Sequence, residues 1–280
     1  MFRFSLRSLV PVTVVVLLLP GCSGSTDNTT STTTTTAASS TSQAVGENPL
    51  VYVAMGNSFT FSPSGNGAIN RYAEMLEADL GVEVDLRDHT RGGQRADDFL
   101  GRLVNDSPFD AQFRDDLADA DVITLLIPMD EWSEPMKTAT GAEGRDPEDC
   151  GGDDNQQCLR DAIESYKALV GPIFEALTAL ADPAETVIRV QDVHLFPTNA
   201  SQDALNILYP YFADANRRVE EIAGGYDIPV AHVFDDFAGP NGSANAEEVG
   251  LIGPDHRHPT SDGARRIAEL IRNLGYDVST

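Results

Sequence analysis

Two short stretches at opposite ends of the chain carry residue types that together do acyl chemistry. Gly56-Asn57-Ser58 ends an apolar run near the start, and Asp255-His256-Arg257-His258-Pro259 lies close to the end. A serine hydroxyl is a weak nucleophile at neutral pH and needs an adjacent base. An imidazole supplies that base, and a carboxylate on its other nitrogen fixes the tautomer and stabilises the imidazolium. Ser58, His258 and Asp255 fit those three roles. Acid and base sit three residues apart in one loop, and Pro259 biases His258 toward an extended backbone that keeps this loop out of a helix. His256 is the competing imidazole, ranked second because it is adjacent to Asp255. Each of these residues alone is commonplace, since serines follow strands and loop aspartates cap neighbours. Their weight comes from where the intervening elements must place them.

Leu50-Val51-Tyr52-Val53-Ala54-Met55 is a continuous apolar run that stops at Gly56, as a buried parallel strand does. Ile69, Tyr72, Ala73, Leu76 and Leu80 form the stripe of an amphipathic helix, stopped by Gly81. Further strands are expected over 82–86, 122–127, 186–190 and 229–234. Helices are expected over 94–104 and 109–119, along Ile163 to Leu180, and over 205–223 with a possible break at Pro210. A last helix carries Ile267, Leu270, Ile271 and Leu274, with Thr260 or Ser261 as N-cap. Residues 129–157 read as a polar excursion.

Five strands alternating with helices predict an α/β fold, a parallel sheet covered on both faces. Ligand sites in such sheets lie beyond the carboxyl ends of the strands. Ser58 follows the first strand, Gly92-Gly93 the second, Met129-Asp130 the third, and Asp255 and His258 precede the last helix. All should meet at one edge. The shared loop for acid and base, and the lack of a Gly-x-Ser-x-Gly elbow, set the pattern apart from α/β-hydrolases. No His-Glu-x-x-His and no phosphate-binding Gly-x-x-x-x-Gly-Lys is present.

From residue 50 to 275 the chain resembles the SGNH/GDSL hydrolase superfamily. The terminal block Asp-x-x-His-Pro reads Asp255 to Pro259, and the first block, normally Gly-Asp-Ser, reads Gly56-Asn57-Ser58. The resemblance implies a three-layer, flavodoxin-like α/β/α fold and hydrolysis of carboxylic esters of lipids or acylated sugars through an acyl-enzyme, with no metal or organic cofactor. It also implies an oxyanion hole containing the backbone N–H groups of Ser58 and Gly93. One departure matters: the block-three Asn that donates to the oxyanion is replaced by Met129. A thioether cannot donate, and losing one such donor costs on the order of 10²–10³ in rate in an enzyme built around it. Backbone from Glu131-Trp132 is a candidate substitute. An acyltransferase with the same triad is the near alternative, and a non-catalytic cell-surface binding protein the distant one.

The ends and the composition bound the setting. Arg3 and Arg7 precede an apolar run from Leu9 to Leu19, too short for a span of about 20 residues, and Cys22 follows. This resembles a lipoprotein signal over 1–21 with Cys22 as the lipidation site; a plain secretory signal is the other reading, and both export the domain. Residues 22–48, rich in Ser and Thr, cannot bury enough surface to fold and read as a flexible tether to a domain over 49–280. The expected location is the cell envelope, with membrane attachment through the lipid. Cys150 and Cys158 are then free to pair as a local disulfide, an exported feature; a metal site there lacks further Cys or His ligands. The net charge of −25, with 44 acidic against 19 basic residues, disfavours nucleic acid and anionic lipid heads. A small neutral or cationic acyl ester is the expected substrate. Trp132 is either a substrate platform or core packing, and Asp149, Asp153 and Asp154 are either a solvated loop or a weak Ca²⁺ candidate.

Overall fold

The computed structural model describes residues 48–61, 66–105, 107–196, 201–239, 242 and 244–278. The stretch read as a leader, Cys22 and all but the last residue of the stretch read as a tether lie outside these. Five strands form one parallel sheet: β1 (Leu50–Met55), β2 (Val84–Asp88), β3 (Val122–Leu125), β4 (Val187–Gln191) and β5 (Val230–Ala231), in the order β2-β1-β3-β4-β5. The apolar run of β1 is central because both its faces are covered. Tyr52 pairs with Leu86 on one side and Val122 on the other. Thr124, the polar residue of β3, is satisfied by the Tyr52 hydroxyl at 2.7 Å.

Among the described residues, eight α-helices cover the two faces. On one side lie α2 (Ala96–Val104), α3 (Ala111–Ala118), α4 (Ser133–Thr140), α5 (Gln157–Leu180) and α6 (Gln202–Gly224), packed over Val53, Ile123, Ile188 and Val190. On the other lie α1 (Ala68–Leu80), α7 (Val233–Ala238) and α8 (Ser261–Arg272), over Tyr52, Ala54 and Val122. This is the three-layer α/β/α arrangement with a five-stranded parallel sheet. None of the helices among the described residues is long and apolar enough to cross a membrane.

Several expected boundaries move. The strand expected over 229–234 stops at Ala231, because the buried Asp192 carboxylate accepts the N–H of Phe234 at 2.7 Å and turns the chain into α7. The second strand lies over 84–88 rather than 82–86, and α6 runs through Pro210 unbroken. The polar excursion is not irregular: it holds α4 and three short 3₁₀ turns and ends at a disulfide between Cys150 and Cys158. Polar exposed faces on such short helices hide their period from the sequence.

Candidate active site

Order reversal in the sheet occurs between β1 and β3, and a crevice opens there beyond the strand ends. The chain leaves β1 through Gly56, where a Cβ would stand 2.6 Å from the Thr60 hydroxyl. Only glycine allows this close turn. Asn57 then folds back: its carbonyl accepts from the Thr60 amide and its side-chain oxygen accepts from the Phe59 amide at 3.0 Å. Between these anchors Ser58 projects half-buried from the turn.

The loop carrying the acid and base is pinned at its base. Gly253 N–H donates to the His258 carbonyl at 2.8 Å, Thr260 N–H donates to Leu251, and Ile252 bridges Pro259. The Thr260 hydroxyl caps α8 by accepting from the Gly263 amide. A Cβ on Gly263 would lie 2.0 Å from the Leu251 carbonyl, so glycine here lets the helix press against the loop.

Within that loop the Asp255 carboxylate accepts three bonds. One oxygen takes the Arg257 and His258 amides at 3.1 and 3.0 Å, and the other takes His258 Nδ1–H at 2.6 Å. Burial raises the Asp255 pKa, but these bonds outweigh it and hold the carboxyl below its usual range. An ionised carboxylate only accepts, so Nδ1 carries the proton and Nε2 presents its lone pair. Ser58 Oγ–H donates to that lone pair at 2.9 Å. The three residues therefore form one continuous relay across 200 positions of sequence. His256 is turned away from it, with a left-handed φ of 62° and its Nδ1 held by Glu247 at 2.7 Å.

Arg91 N–H donates to the Gly56 carbonyl at 3.0 Å and so lays the Gly92-Gly93 loop beside Ser58. A Cβ on Gly92 would be 3.9 Å from Ser58 Cβ, and Gly93 has φ 70°. Among the described residues no acceptor engages the backbone N–H of Ser58 or of Gly93. Met129 is buried, and its sulfur accepts from the Asn57 side-chain amide at 3.3 Å. Of the substitute donors expected from the Glu131-Trp132 backbone, that of Trp132 is not free. The Trp132 amide donates to the Met129 carbonyl at 3.0 Å. Glu131 instead accepts from the Ala96 amide at the start of α2, and burial pushes its carboxyl up to about 6. This ties the stretch after β3 to the Gly93 loop.

Two residues with no sequence signal of their own support the relay. His194, fully buried just beyond β4, packs on Phe59, Phe196 and Phe237 and places Nε2 3.1 Å from the Arg257 carbonyl. Burial first, then the neighbouring His258 and Arg257 charges, lower its pKa to about 4, so it is neutral and Nε2–H donates to the loop. Arg257 spans from that loop to Asp130 at 2.9 Å and Ser133 at 3.3 Å, with its guanidinium 5.6 Å from the Phe59 ring. A cleft of about 570 Å³ opens beside Ser58 and His258, walled by Phe61, Gly92, Pro259 and Ala264. Trp132 does not face it. It is buried edge-on against Tyr166 and Phe212, which makes it core. Asp154 pairs with Arg160 at 2.8 Å.

No family model and no curated protein matches the chain. Solved structures do. A lipase from a goat rumen metagenome aligns over 81% of this chain and 98% of its own, at 20% identity and a TM-score of 0.60. An extracellular lipase from Streptomyces rimosus aligns over 79% and 99%, at 16% identity and 0.53. An acetyl xylan esterase from Geobacillus stearothermophilus aligns over 82% and 97%, at 14% identity and 0.51. The chain thus has the three-layer α/β/α fold of these lipases and esterases, the fold that its Gly56-Asn57-Ser58 and Asp255-to-Pro259 blocks imply.

Proposed function

We propose that the protein is a serine esterase that hydrolyses small carboxylic esters through an acyl-enzyme. The observation that carries this is the relay Ser58–His258–Asp255, with each hydrogen bond between 2.6 and 2.9 Å. Ser58 Oγ attacks the acyl carbon while its proton passes to His258 Nε2. The resulting oxyanion is held by the amides of Ser58 and Gly93. His258 then protonates the departing alcohol, a water enters, and the same imidazole removes its proton to release the acid. Asp255 holds the tautomer and stabilises the imidazolium throughout.

The substrate is a neutral or cationic ester with an apolar portion. The cleft beside Ser58 supports this, being walled by Phe61, Pro259 and Ala264. So does the net charge of −25, which repels polyanions. That lipases and an acetyl xylan esterase share the fold agrees with ester chemistry. A non-catalytic binding protein is favoured only by Met129; it has no need of the serine-to-imidazole hydrogen bond. Export and lipid anchoring belong to the same proposal. Their support is the sequence of residues 1–22, together with the Cys150–Cys158 disulfide, a bond of oxidising compartments.

Stopped-flow hydrolysis of p-nitrophenyl acetate tests the reading. A burst of one p-nitrophenolate per chain before the steady state is the result expected of an acyl-enzyme. No turnover by folded protein across neutral esters of several acyl lengths would return the binding reading to first place.

A further inference from the structure

A second group of side chains gathers at the opposite end of the sheet from β2. Asp192 directly follows β4, His232 directly follows β5, and Glu220 stands on the last turns of α6. One ligand atom from each lies within 4.8 Å of the other two. His232 Nδ1 is 3.2 Å from a Glu220 oxygen and 3.8 Å from Asp192 Oδ2. Ligand atoms around a tetrahedral ion with bonds near 2.0–2.1 Å stand roughly 3.3 Å apart. The two separations made by His232 are therefore near those of adjacent corners of such a site, and the third lies within 4.8 Å.

Asp192 distinguishes this group from an ordinary surface ion pair. The residue is only 2% exposed, and Oδ1 is fixed by the Phe234 amide at 2.7 Å. With Oδ1 so fixed, Oδ2 stands 3.8 Å from His232 Nδ1. His232 is half-exposed, which leaves an entry path and room for water in the remaining coordination position.

We propose that Asp192, Glu220 and His232 form a binding site for a divalent transition cation, of which Zn²⁺ best matches the one-nitrogen, two-oxygen donor set. His232 binds through Nδ1 as the neutral ring, so its proton is released to solvent when the ion enters. Because only the neutral ring binds, metal affinity rises with pH for as long as the free ring carries a proton, approaching tenfold per pH unit for one released proton. The site belongs to the outer strands and takes no part in the Ser58 relay.

Titration of the metal-stripped full chain with Zn²⁺, read by calorimetry at pH 6, 7 and 8, tests the site. One ion per chain with affinity rising with pH is expected. His232→Ala and Asp192→Asn should each weaken binding at least tenfold. Glu220→Gln, on an exposed helix position, keeps the test open if either of those variants fails to fold, and it should also weaken binding. Co²⁺ should give the visible absorption of a tetrahedral site in the wild type and lose it in Glu220→Gln. Wild-type affinity weaker than about 1 mM, or binding left intact by Glu220→Gln and His232→Ala but removed by His256→Ala, overturns the proposal.

Discussion

The side-chain amide of Asn57 donates to the sulfur of Met129 across 3.3 Å, joining the residue before the nucleophile to the residue that stands where a related site has an oxyanion donor. The two departures from the usual blocks are thus one contact. Asn57 gives a donor where a carboxylate would only accept, and Met129 is the acceptor that receives it. In the proposed mechanism the oxyanion is left to the amides of Ser58 and Gly93. Met129→Asn should then raise kcat on p-nitrophenyl acetate by about tenfold to a hundredfold, part of the effect usually assigned to one such donor. It should also lower stability by about 2–4 kcal/mol, since a buried side chain of 2% exposure is shortened and made polar. An unchanged kcat in a folded variant means that position 129 does not face the oxyanion.

Asp255 is half-exposed, and this limits its share. Water screens the attraction between the carboxylate and the imidazolium. Asp255→Asn should lower kcat/KM by about 10²–10³, toward the lower part of the range for loss of a triad acid. The acceptor for the Arg257 and His258 amides is retained in the asparagine, so the loop should keep its shape. Asp255→Ala removes those acceptors as well. It should lose more activity than Asp255→Asn and raise the temperature factors of the loop in a crystal. Equal losses from the two variants would show that the amide contacts are idle.

His194 is a positioning residue for the same loop. Its buried ring has a pKa near 4 in the folded protein, against about 6.5 when unfolded. Between those values the unfolded chain binds more protons, so this contribution to stability is present above about pH 6.5 and is lost as pH falls toward 4. The full effect approaches about 3 kcal/mol. His194→Gln should flatten the pH dependence of urea unfolding in that window relative to wild type. It should also lower kcat more than it raises KM, because the Arg257 carbonyl loses its fixed donor while the cleft is untouched. A stability difference that does not vary between pH 4 and 6.5 would falsify the neutral-histidine assignment.

The disulfide closes a loop of eight residues of separation between the last 3₁₀ turn of the polar excursion and α5. Chain entropy assigns such a short loop about 2–3 kcal/mol. The Cys150→Ser/Cys158→Ser double variant should melt several degrees lower. Its labelling at Ser58 by a fluorophosphonate probe should stay normal at 25 °C, because Trp132, Tyr166 and Phe212 still anchor the segment. Loss of labelling at full fold would make the excursion part of the site.

How much of this was legible follows from periodicity and chemistry. β1 was plain because both its faces are buried and its sequence is uniformly apolar. Ser58, Asp255 and His258 were legible because reactive types stand at strand ends and in a proline-bounded loop. His194 was invisible: a histidine beside a strand carries no mark of whether it is solvated or sealed among phenylalanines. The helix at Ser133–Thr140 was missed because only Met136 and Ala139 are buried on it, too few for a period. β5 was overcalled because Val233 and Phe234 are apolar for α7, not for the sheet. The split there depends on a bond from Asp192, forty-two residues away.

The central claim is that Ser58 is activated by His258. Incubation of the folded chain with a fluorophosphonate probe, beside Ser58→Ala and His258→Gln, tests it directly. The account predicts one adduct per wild-type chain, located by mass spectrometry on Ser58. It predicts none in Ser58→Ala and labelling slowed by at least about a hundredfold in His258→Gln. Wild-type protein that stays unlabelled, or His258→Gln that labels at the wild-type rate, contradicts it.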